Sequence, residues 1–79
     1  MFSHEILYSL PRAGRVRLKL YSQSGHVVRT LLDQIKPAGK YFAHWDGRDN
    51  QGRLVKNGIY FCRIATPVGP SSCKVVFVR

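Results

Sequence analysis

At 79 residues the chain is near the small end of what folds unaided, and a domain of this size buries only about 60–65% of its unfolded surface, which leaves little room for a deep active-site cleft. Hydrophobic residues at 44% and charged residues at 22% exclude a disordered tail and point to a folded chain. Thirteen Lys and Arg against four Asp and Glu give a formal net charge of +9, so the surface favours an acidic partner: an acidic protein face, an anionic lipid surface or nucleic acid.

Residues 1–5 read as a short lead-in and residues 6–79 as one domain. The opening "MFSHEILYSLP" has no basic segment followed by an apolar one, and no apolar run approaches the roughly 20 residues of a membrane span. The chain therefore reads as carrying neither an export signal nor a span. "EILYSL" is a short strand ended by Pro11. In "GRVRLKLY", Val16, Leu18 and Leu20 alternate with Arg15, Arg17 and Lys19, the period-2 mark of a strand with one buried and one wet face.

"SQSG" at 22–25 is a turn cluster. "HVVRTLLD" at 26–33 fits helical spacing through Val28 with Leu31 or Leu32, and it fits a bulged strand equally; its β-branched content favours the strand. "KPAG" at 36–39 breaks the chain, and "KYFAHWD" alternates again, with Tyr41, Ala43 and Trp45 on one side and Phe42 and His44 on the other. "GIYFCRIA" and "CKVVFVR" are β-branched and aromatic runs of strand length, separated by a turn segment "TPVGPSS" at 66–72. About six to seven short strands at close spacing give an all-β, antiparallel β-sandwich of Ig-like type. The expected core is Ile6, Tyr8, Val16, Leu18, Leu20, Val28, Tyr41, Trp45, Tyr60, Ile64 and Phe77.

The segment "WDGRDNQGRLVKNGIYF" at 45–61 concentrates Asp, Asn and Gly, and a metal or catalytic reading has to be weighed. An EF-hand loop needs oxygen ligands at alternate positions and a distal Glu. The alternate positions from Asp46 are Arg48 and Asn50, and no Glu follows Glu5, so the spacing fails. Asp46 and Asp49 could share acid and base work, but no nucleophile accompanies them. Asp side chains accept from turn amides, and Gly47, Gly52 and Gly58 permit unusual dihedrals, so a structural loop is the better reading.

Other chemistry is thin. His4, His26 and His44 are scattered and Cys62 and Cys73 lack ligand spacing, so no zinc signature forms. A hairpin folding near Val68 and Gly69 would set Cys62 and Cys73 opposite each other, which leaves both a disulfide and a pair of small buried thiols open. "YSQSG" lacks the first Gly of a nucleophile elbow, and phosphate-loop and dinucleotide fingerprints are missing, so the chain reads as a non-enzyme without cofactors. Arg15, Arg17 and Lys19, extended by Arg29, Arg63 and Lys74 and joined by Phe42 and His44, could form a basic and aromatic face for single-stranded nucleic acid. A solvated sheet face is the preferred reading of that row, because alternation produces one on any amphipathic strand.

"YSLP" at 8–11, Gly14 with its alternating strand, "YSQSG", "AGKYFAHWDGRDNQG", "NGIYF" and the final "KVVFV" resemble, in this order, the FlgD-type Ig-like domain. That family is named for the flagellar hook-capping protein and is similar to the C-terminal sorting domains of type IX secretion cargo. The resemblance runs over residues 6–79. It implies a non-catalytic module for protein–protein interaction and assembly in the cell envelope or outside the cell, with the Trp-Asp-Gly loop as a fold signature. Two alternatives stand beside it: a small basic accessory subunit docking on an acidic protein or lipid surface, and a single-stranded nucleic-acid binder. An exposed edge such as "CKVVFVR" could also serve self-assembly or pair with a partner strand.

Overall fold

A computed structural model describes residues 4–79, and Met1–Ser3, part of the expected lead-in, lie outside the described residues. Among the described residues all regular elements are strands: β1 (His4–Leu10), β2 (Gly14–Tyr21), β3 (Val27–Lys36), β4 (Gly39–Trp45), β5 (Gly58–Thr66) and β6 (Gly69–Phe77). β1 takes up His4 and Glu5, the rest of the lead-in. β1 and β4 form a two-stranded sheet; β3, β2, β5 and β6, in that order, form a four-stranded one, and every pairing is antiparallel. The two sheets face each other as an Ig-like β-sandwich.

Alternation decides which side of each strand is buried. Val16, Leu18 and Leu20 are fully enclosed while, at the alternate positions, Arg15 and Arg17 are exposed and Lys19 is half-buried. Tyr60, Cys62 and Ile64 do the same on β5, and Val75 and Phe77 on β6. Ile6 and Leu10 from β1 and Trp45 from β4 close the core from the small sheet. Tyr8, Val28 and Tyr41, expected in the core, are only half-buried against its rim. Two strands cannot roof four, so positions on the edge strand β3 and at the open end of the small sheet keep contact with water. Tyr8 and Tyr41 stack there at 5.4 Å, and the Tyr41 hydroxyl donates to the Pro37 carbonyl at 2.6 Å. Burial and the neighbouring Tyr41 raise the Tyr8 hydroxyl's pKa.

Two local readings change. The turn expected over 66–72 shrinks to Pro67 and Val68, because Gly69 already pairs with Thr66 and the strand runs on through Ser72. The ambiguous 26–33 segment is a strand that extends to Lys36, with register shifts against β2 at Leu18/Lys19 and Leu20/Tyr21. These bulges absorb the spacing that also fits a helix.

Candidate functional site

Trp45 anchors the Asp- and Gly-rich loop. Its indole is fully buried against Tyr60 and Phe77, with ring centroids 5.3 and 5.4 Å away, and its Nε1–H donates to the Arg48 carbonyl at 3.0 Å. Asp46 Oδ1 accepts from the Arg48 backbone N–H at 3.0 Å and from Arg29 Nη1 at 3.3 Å. Asp49 Oδ1 accepts from the backbone N–H groups of Gln51 and Arg53 at 2.9 and 3.0 Å, and Asp49 Oδ2 meets Arg53 Nε at 3.3 Å. The Arg53 backbone bond, helped by the Gln51 one and the Arg53 charge, holds the Asp49 carboxyl below its usual range. Gly47 lies buried under the Phe77 ring, Gly52 completes the Asp49 turn, and Gly58 starts β5.

Both carboxylates are therefore spent on turn amides and arginines. Among the described residues no three His, Cys, Asp or Glu side chains assemble as a metal-binding group. Asn50 reaches sideways to β3: its Oδ1 accepts from Thr30 N–H at 3.0 Å and its own N–H donates to the Val28 carbonyl at 3.1 Å. The loop thus closes one end of the sandwich and caps part of the β3 edge.

The cations divide into two groups. Arg15, Arg17 and Lys19 of β2, Arg63 of β5 and Lys74 of β6 share the outer face of the four-stranded sheet, since Lys19 pairs with Arg63 and Lys74 with Phe61, itself flanked by the buried Tyr60 and Cys62. Arg29 does not join them. It pairs with the buried Leu20 beyond a bulge, so it turns inward and spends its guanidinium on Asp46 and on the Arg48 carbonyl, 3.0 Å away.

Asp33 is the carboxylate on the outer face, 2.9 Å from Arg15 and 3.6 Å from Arg17. The hydrogen bond from Arg15 is the main reason its carboxyl lies below the ordinary range. Lys19, Arg63 and Lys74 have no acidic partner among the described residues. Lys19 and Arg63 stand directly opposite each other on one face, an arrangement of like charges that costs stability.

Phe42 and His44 lie elsewhere. They are on the outer side of β4, edge to face at 5.2 Å, with Leu7 of β1 paired to Phe42. The single charged and aromatic face expected from these residues does not form, because the two rows belong to different sheets whose outer sides point away from each other. Tyr21 and Phe61, cross-strand partners on the basic face, occupy the aromatic positions there instead. Their signal lay in the same alternation: with Tyr60 and Ile64 buried, Phe61 and Arg63 must face out.

Cys62 and Cys73 are directly opposed on β5 and β6, with Cα atoms 5.1 Å apart, and their sulfurs are bonded. Among the described residues no helix is long and apolar enough to cross a membrane.

Compared with known families, residues 7–67 match the FlgD Ig-like domain. No curated protein and no solved structure matches the chain. The matched segment takes in most of β1 and all of β2 to β5, while β6 follows it. Because that match covers well over half of the chain, and the strands within it build both sheets, the chain belongs to the FlgD Ig-like domain family, a family of structural and assembly domains.

Proposed function

We propose that this chain is a single non-catalytic docking module, spanning residues 6–79, that binds an acidic protein partner through the outer face of its four-stranded sheet. The observation that carries this reading is the convergence of Arg15, Arg17, Lys19, Arg63 and Lys74 on one face that holds one carboxylate, Asp33. Unmatched like charges side by side are unfavourable in the isolated fold and favourable once an acidic surface lies over them. The family supports assembly in general, and a place in the cell envelope or outside the cell is the finer reading. A Cys62–Cys73 bond fits such an oxidising setting. A small accessory subunit of a larger complex, seated on an acidic protein or lipid surface, would use the same face.

One observation favours a second reading, binding of single-stranded nucleic acid: Tyr21 and Phe61 lie among the cations, where bases could stack. Fluorescence anisotropy with a Glu-rich peptide, and with a single-stranded oligonucleotide of equal charge, separates the two across a salt series. Replacing Arg15, Arg17 and Lys19 together by Ser should weaken peptide binding about tenfold or more at low salt. Unchanged peptide binding by that triple variant would end the docking reading. Tighter binding of the oligonucleotide, with a steep fall of log affinity against log salt, would replace it with the second.

A further inference from the structure

The two flanks of the sandwich are finished differently. On one, Asn50 covers the β3 edge with a donor and an acceptor, and the short Pro37–Ala38 connection joins β3 to β4. On the other, the free edges of β1 and β6 lie bare. Among the described residues, no backbone group between Pro70 and Phe77 bonds to anything but β5.

The pairing rule says which groups face outward. Thr66 and Gly69 close a two-residue hairpin loop and must exchange the ladder bonds. Alternate pairs repeat that exchange, so Ile64/Ser71, Cys62/Cys73 and Tyr60/Val75 are bonded pairs. Ser72, Lys74 and Val76 then turn their N–H and C=O groups away from β5, toward the free edge. Pro70 has the same parity, which agrees with its lack of an N–H. Where this edge starts, at the hairpin residues Val68, Gly69, Pro70 and Ser71, a groove of about 410 Å³ separates it from Leu7 and Tyr8 of β1.

Charge selects the occupant. Three of the four acids, Asp33, Asp46 and Asp49, lie on β3 or in the loop beside it, each paired with an arginine, and the fourth, Glu5, is exposed on β1. At the β6 edge the outward side chain is Lys74, with Arg63 on the next strand. A second copy of the chain would bring another +9 to this edge and be repelled, whereas an acidic strand would be drawn to it.

We propose that the free edge of β6 takes up an extended acidic segment of the partner protein as an added strand, with carboxylates at alternate positions over Lys74 and Arg63 and apolar residues between them turned into the β1–β6 groove. This rests on the docking role proposed above and names how the partner is held: backbone pairing supplies affinity, and the alternating pattern supplies specificity.

The test uses a labelled peptide of about eight residues alternating Glu and Val, enough to cover one strand, and the same peptide N-methylated at alternate amides. Ser72→Pro with Val76→Pro removes two outward donors, leaves the ladder to β5 in place and changes no charge. The inference expects both the double variant and the N-methylated peptide to bind about tenfold or more weakly. The methylated peptide tests the idea on the unaltered protein, should the double variant fold poorly. If both bind normally while Lys74→Glu weakens binding, charge docking stands and strand addition is overturned. Absence of peptide binding by the native chain at low salt overturns the inference. Sedimentation of the native chain as a dimer that Ser72→Pro dissolves would assign the edge to a second copy, and this too overturns it.

Discussion

Gly47 and Gly52 offer a controlled pair for asking what holds the 45–57 loop in place. Both have positive φ, +78° and +83°, so an alanine at either pays the left-handed penalty of about 1–2 kcal/mol. Their surroundings differ. A methyl group at Gly52 would meet open space, whereas one at Gly47 would collide with the ring of Phe77, which is fully buried against Trp45. Overpacking of that kind adds about 1–3 kcal/mol. Gly52→Ala should therefore cost about 1–2 kcal/mol and Gly47→Ala about 2–5 kcal/mol. Against a total stability of about 4–12 kcal/mol for a chain of this length, the second change removes a large share. Urea unfolding followed by Trp45 fluorescence would read both as shifts of midpoint at constant slope. Equal losses for the two variants would refute the claim that the loop is seated on Phe77, and a loss below about 0.5 kcal/mol at Gly47 would refute the whole account of the turn.

Three further outcomes are expected. Reducing Cys62–Cys73, whose separation is 11 residues, should lower stability by about 2–3 kcal/mol on the loop-entropy estimate and Tm by about 10–20 °C; an unchanged Tm with both thiols shown free by titration would remove the bond from the list of stabilising features. The Asp33 and Asp49 carboxyls are held below the unfolded value of about 3.9, so below it the unfolded chain binds more protons and stability, full above that pH, is lost as pH falls through the folded values. Asp49→Asn should flatten that acid limb in unfolding midpoints measured between pH 7 and 2, and an unaltered slope would contradict the hydrogen-bond origin of the shift. Arg63→Glu, which places an acid opposite Lys19, should raise the unfolding midpoint slightly while weakening binding of the Glu-rich peptide; a fall in both would mean the facing cations carry no opposing demands of fold and docking.

How much of this was readable beforehand follows from the range of each interaction. The buried row Val16, Leu18 and Leu20 and the wet row Arg15, Arg17 and Lys19 are set by the two-residue repeat of a strand, which a sequence displays directly. The Trp45–Gly52 loop was equally legible as a turn, because Asp49 and Gly52 act on backbone within four residues. Arg29 was not. Its face depends on the bulge between Leu18 and Lys19, a property of two strands in register rather than of either alone.

The same distinction divides the molecule as a whole. Alternation, turn chemistry and the excess of Lys and Arg determined by themselves that the chain is all-β, the strand cores though not the ends of β3 and β6, and that one wet face is basic, since these are local or compositional quantities. Tertiary structure decided the rest: the split of two strands against four, the removal of Phe42 and His44 to the far side, the meeting of Lys19 with Arg63, and the bare β6 edge. Each depends on which strand lies beside which, and that is fixed by burying Trp45, Phe77 and the aliphatic rows in one shared core, a long-range constraint no single stretch of residues contains.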